Sequence, residues 1–127
     1  MNGLQFEVSS RREGVVEVRL IGELDLANAS VAEVGMYQLL ATSDAETIVV
    51  DLSALSFCDA AGLNFFSAAQ RIAAAQDKAI VLANPRGIVA RVLESVQFGR
   101  VVDIAEPDWD EDREISSGGG SEISEES

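Results

Sequence analysis

The chain has 127 residues, one domain's worth, and 47% of them are hydrophobic, enough for a packed core. It carries 22 acidic residues against nine basic ones and no histidine, a formal charge of −13. Such a surface repels phosphate backbones and anionic lipid, which argues against nucleic-acid and membrane-surface partners. No stretch approaches the roughly 18 uncharged apolar residues of a membrane span, and the N-terminus lacks a basic-then-apolar leader. The expectation is a soluble cytoplasmic protein without membrane insertion. Its single cysteine, Cys58, excludes an internal disulfide and any zinc cluster built on cysteines.

Taken in chain order, "LQFEV" (4–8) and "VVEVRLIG" (15–22) alternate apolar and polar residues. Separated by a polar stretch, they predict a hairpin of half-buried strands. A helical pattern follows over about 29–41, with Asn28 as an N-cap and Ser30 with Glu33 as a possible capping box. "TIVVDL" (47–52) is an unbroken β-branched run, as in a strand buried on both faces. Asp59 then caps a helix of about 60–75 whose inward face is read as Leu63, Phe66, Ala69 and Ile72. "AIVLA" (79–83) is a second buried strand. Asn84 and Pro85 open a last helix with Ile88, Val92 and Val96 along one face, Gly99 stops it, and "VVDI" (101–104) closes the order.

That order is β-β-α-β-α-β-α-β. Strands joined through helices run parallel, so the fold class is α/β: a mostly parallel sheet of four to five strands with an antiparallel N-terminal edge hairpin, packed with helices. Residues 1–105 are expected to form this domain. Residues 106–127 are acidic, rich in serine and glycine, and nearly free of apolar groups, so they read as a disordered tail.

Most catalytic chemistry fails on inventory. Without histidine there is no Ser-His-Asp or Cys-His arrangement and no histidine-ligated metal. No phosphate-binding glycine loop is present, and "DWDEDREISSGG" (108–119) begins like a calcium loop but has Arg113 where glycine is required. No enzyme activity, metal or cofactor is therefore expected. Asp51 ends a buried strand as a phosphoacceptor would, yet the only lysine, Lys78, precedes its strand, which favours a structural aspartate. Cys58 reads as a small packing residue rather than a reactive thiol.

Two stretches together resemble the STAS domain, and more narrowly the bacterial anti-sigma-factor antagonists. They are "GELDLANA" (22–29) after the hairpin and "VVDLSALSFCDAAGLNFF" (49–66). The resemblance spans roughly residues 4–105. It implies a non-enzymatic regulator that binds an anti-sigma factor of the GHKL kinase type and releases a sigma factor. In regulated relatives a Ser or Thr two residues after the motif aspartate is phosphorylated by that kinase, which ends the binding. Carried across, Asp59 is the motif acid, Ala60 the first small residue, Ala61 the acceptor position, and Gly62 and Leu63 complete the motif. Asp25 and Asn28 would lie on the neighbouring loop and helix start.

Ala61 has no hydroxyl, so the phospho-switch is expected to be absent; Ser56 and Ser67 do not hold the acceptor's place. Residue 61 is expected to be exposed in the first helical turn, and small residues at 60–62 to let a partner approach closely. The alternative is a STAS subunit docking on a transporter or a multi-protein signalling assembly, and a small-ligand carrier is a weaker third. The fourth helix that closes this fold in relatives is not evident after residue 105.

Overall fold

The computed structural model of the chain describes residues 3–105; the expected tail lies outside the described residues. Two strands open the fold, β1 (Leu4–Arg12) and β2 (Val15–Leu24). They pair antiparallel from Leu4↔Gly22 to Ser10↔Val16, and a bulge interrupts the register between Ser10 and Arg12. Helix α1 (Ala29–Thr42) leads to β3 (Thr47–Asp51), β4 (Leu55–Cys58) and α2 (Ala60–Ala75). Then come β5 (Ala79–Ala83), α3 (Gly87–Ser95), one 3₁₀ turn at Phe98–Arg100 and the two-residue β6 (Asp103–Ile104).

The sheet runs β1-β2-β3-β5-β6, with every pairing after the hairpin parallel. Strands progress in one direction across the sheet, so right-handed crossovers place all three helices on one face. The core bears this out. Val18 and Leu20 of β2, Ile48 and Val50 of β3, and Ile80 and Leu82 of β5 join Met36, Leu40, Phe65, Phe66, Val89 and Leu93 in one cluster. Glu17, Arg19 and Asp51 alternate onto the other face.

The expected α/β class and the mixed sheet are found, with one strand more than the sequence pattern suggests. β4 has no counterpart in the expected order. It continues the line of β3 along the same neighbour, so β2 pairs with β3 over Val15–Arg19 and with β4 over Gly22–Leu24. The two segments are separated by a turn in which Leu55 N–H donates to the Leu52 carbonyl. Gly22 sits at the changeover with φ +116°, and a Cβ there would run into the Gly3 carbonyl. Only glycine fits that position without strain.

Four helix readings need correction. α3 starts at Gly87, not at Pro85, because Asn84 (φ 58°) and Gly87 (φ 55°) are both left-handed and delay the helix. Its buried residues are consequently Val89 and Leu93, one position later than the Ile88–Val92 phase, and Ile88 and Val96 are exposed. It ends at Ser95, before Gly99, with Gln97 in the left-handed region. The inward face of α2 centres on Phe65, Phe66, Ala69 and Ala73, and Leu63 and Ile72 only flank it.

Candidate functional site

The site is assembled where β2 and β4 end side by side. Leu24 pairs with Cys58, so the next residues, Asp25 and Asp59, leave the sheet from adjacent strands. Asp59 is extended (φ −108°, ψ −167°) and caps α2: its Oδ1 accepts from Gly62 N–H at 3.1 Å. The other oxygen, Oδ2, accepts from Leu26 N–H at 3.2 Å. One carboxylate thus ties the loop after β2 to the start of α2.

The loop has its own internal bracing. Asp25 Oδ1 accepts from Ala27 N–H at 3.0 Å, and the Asp25 carbonyl accepts from the N–H groups of Asn28 (3.1 Å) and Ala29 (2.9 Å). Asn28 does not cap α1 through its side chain, contrary to the expectation. Its Oδ1 accepts from Asp25 N–H (3.0 Å) and its Nδ2 donates to the Glu23 carbonyl (2.9 Å). The amide side chain bridges back across the loop, and this bridging occupies the oxygen a cap would need. Asp25, Asn28 and Asp59 are therefore brought together, in one bonded unit.

The small residues divide by role. Ala60 is exposed, but Ala61 is half-buried rather than fully exposed, because the first turn of α2 leans on the sheet end. Gly62 is buried. A Cβ on it would lie 2.6 Å from Cys58 Sγ and 3.1 Å from the Leu24 carbonyl oxygen. Its smallness lets α2 settle on the ends of β2 and β4, and it is not available to a partner. Leu63 is half-buried against the core. Ala60 is the one fully exposed residue of the motif, with Asp59, Ala61 and Leu63 partly so.

Cys58 beneath them is 2% exposed, and burial, then the neighbouring Asp59 charge, pushes its thiol up to about 12. A thiol so protonated is a poor nucleophile, which agrees with its packing role.

Three exposed apolar residues lie on elements at this end of the sheet, and the sequence pattern marks none of them as exposed. Leu26 is 81% exposed, Ile88 52% and Phe57 38%. Leu26 is bonded to Asp59 through its backbone, Phe57 precedes the cap on β4, and Ile88 opens α3, which packs against β4. All three come from the end of the sheet where the parallel strands terminate, the usual place for binding residues in such folds. Leu26 could have been found: an apolar residue between Asp25 and Asn28, in neither strand nor helix, has nothing to bury it.

Asp51 lies on the helix-free face and is almost fully buried. It accepts from Arg19 Nε (3.0 Å), Ser53 N–H (3.0 Å), Ser53 Oγ (3.2 Å) and Asn84 Nδ2 (3.3 Å). Burial alone would raise its pKa, but the bonds from Ser53, Asn84 and Arg19 outweigh it and hold the carboxyl below its ordinary value. Four donors fill its oxygens, so it is a latch between β2, the β3–β4 turn and the end of β5.

The family model of the STAS domain matches residues 8–108, and the chain belongs to that family. Solved structures share the fold. SpoIIAA, an anti-sigma factor antagonist, in its unphosphorylated form is 24% identical with a TM-score of 0.65, over 80% of this chain and 89% of its own. An anti-sigma factor antagonist from Mycobacterium paratuberculosis is 21% identical, also at 0.65, over 80% and 85%. The Bacillus cell-fate determinant SpoIIAA in its phosphorylated form is 22% identical at 0.59, over 80% and 92%. No helix among the described residues is long and apolar enough to cross a membrane.

Proposed function

We propose that the chain is a non-enzymatic, cytoplasmic anti-sigma-factor antagonist. It binds an anti-sigma factor of the GHKL kinase type, frees the sigma factor, and lacks the phosphorylation that would end the binding. The observation that carries this reading is the double bond-acceptance by Asp59, which fuses the Asp25–Asn28 loop and the first turn of α2 into one surface. That surface offers a partner the small side chain of Ala60 and the exposed Leu26 of the adjoining loop. Two of the structural relatives carry the name anti-sigma factor antagonist, and one structure is of a phosphorylated form, which supports a phosphate-controlled ancestor for the site.

The missing switch follows from chemistry at residue 61. Ala60 and Ala61 have no hydroxyl. Ser56 sits on β4 and spends its Oγ on the Gly22 carbonyl at 3.0 Å, and Ser67 lies a turn and a half further along α2. A phosphate at residue 61 would bring about −1.5 to −2 charges beside Asp25 and Asp59. A partner surface shaped for neutral methyl groups would be driven off, so a chain with alanine stays in the binding state.

Calorimetric titration against a purified GHKL-type anti-sigma factor, with and without ATP, tests this. Binding that persists through ATP incubation is expected. No binding by the folded chain, or binding lost on incubation with ATP, would defeat the proposal.

A further inference from the structure

β1 ends the sheet, and among the described residues nothing pairs with its outer edge. Edges of this length are ordinarily blunted by lysine, proline or a bulge. Here the bulge lies at Ser10–Arg12, leaving Leu4–Val8 regular, without lysine or proline and with Glu7 as its one charge. Leu4, Phe6 and Val8 share the helix-side face of the sheet; Leu4 and Phe6 lean on the core, and Val8 is 54% exposed.

Beside them runs a groove of about 210 Å³ lined by Leu4, Phe6, Val31, Ala32 and Gly35, with Asn28 at one end. Its far wall, α1, has a single charged residue, Glu33, and exposes Val31 and Val34. In a chain of charge −13 this is an unusually neutral surface.

We propose that this edge docks a second copy of the chain, β1 against β1, antiparallel about a two-fold axis through Phe6. Three considerations favour a second copy. In that register Leu4 faces Val8 of the other copy, Phe6 faces Phe6, and Val8 faces Leu4, so apolar groups meet on the helix side. On the other face Glu7 meets Gln5, and no acid meets an acid, which strongly acidic copies require. One residue further along, Glu7 would face Glu7. The contact is also isologous, as a two-fold interface must be, and the bulge ends the pairing where the apolar run ends.

The contact is small, so association should be weak and concentration-dependent. Sedimentation equilibrium of the full chain from about 1 to about 500 µM should show the mass rising from one chain toward two, the range in which such interfaces fill. Val8→Lys should abolish the rise with an unchanged melting curve, and Ile88→Lys, exposed on α3, should preserve it. Gln5→Cys with Glu7→Cys should give a covalent dimer under mild oxidation, the buried Cys58 staying silent, whereas Gln5→Cys with Ser9→Cys should not. A chain monomeric throughout overturns the proposal. So does a dimer that survives Val8→Lys, or cross-linking by the Gln5/Ser9 pair in preference to Gln5/Glu7.

Discussion

Asp59 and Leu26 are 33 positions apart in sequence, yet the carboxylate of one holds the backbone N–H of the other at 3.2 Å. Because the same carboxylate caps Gly62, loop and helix cannot move independently. Asp59→Ala removes a cap and a tertiary bond together, and should cost about 1–2 kcal/mol, the upper range for N-cap loss. Asp59→Asn keeps an acceptor oxygen and should cost about half as much. Thermal melts of the three proteins check the order. A melting temperature unmoved by Asp59→Ala would remove the carboxylate from the fold's bracing.

Residue 61 separates folding from binding. The first turn of α2 contains no acidic side chain, so Ala61→Glu gains from the helix dipole about what it loses in propensity and repulsion from Asp59. Stability should change by less than about 1 kcal/mol. Affinity for the anti-sigma factor should fall at least about a hundredfold, since a desolvated charge in an interface costs several kcal/mol at 1.4 per decade. Ala61→Ser should instead become a phosphate acceptor for a cognate kinase with ATP, while the parent chain takes up none. Phosphate found on Ser56 or Ser67 of the parent would break this logic.

Gly62→Ala should destabilise by about 1–3 kcal/mol, as overpacking does, because the new methyl would press on Cys58 Sγ and the Leu24 carbonyl. Adding Cys58→Ala removes the nearer clash. Chemical denaturation of both single variants and the double one should give a favourable coupling between the sites. Strict additivity would mean that Gly62 matters for another reason.

The Asp51 latch predicts a pH response. Its folded pKa is depressed, so its contribution is present above the unfolded value near 3.8 and is lost as pH falls through the folded one. Asp51→Asn should therefore be less stable than the parent at neutral pH by about 1–3 kcal/mol, through loss of a charged hydrogen-bond acceptor. The gap between the two proteins should close progressively below about pH 4, the ordinary carboxylate range. Melts from neutral to acidic pH would contradict this if the gap were constant or widened.

Much of this was legible because several signals agreed locally. The span of α2 follows from Asp59 and the alanine-rich run, and that of β5 from an unbroken apolar segment. That of β4 does not, since "LSFC" is too short to show a period and its aromatic Phe57 is exposed beside Ser56. The phase of α3 depended on left-handed Asn84 and Gly87, and a proline after an asparagine signals a helix start more loudly than either. The motif names Asp25, Asn28 and Asp59, but not the bonds that tie them together. Asn28 resembles a cap in sequence and bridges the loop in space, while Gly62 resembles part of an open surface and is packed shut. Those distinctions depend on a neighbour distant in sequence.

The shared use of β2 by two successive strands also sets a length. Asp51 must reach Arg19, and Cys58 must reach Leu24, along one strand whose ladder already takes up a bulge between Gly22 and Glu23. The turn between β3 and β4 is thus a spacer with a fixed residue count, although it has the composition of a loop that tolerates insertion. Adding or removing one residue between Leu52 and Ala54 would force either the latch or the cap out of step by about 3.3 Å. Lineages of this fold should therefore vary in length at the β1–β2 turn and beyond β6, and hold the interval from Asp51 to Asp59 constant.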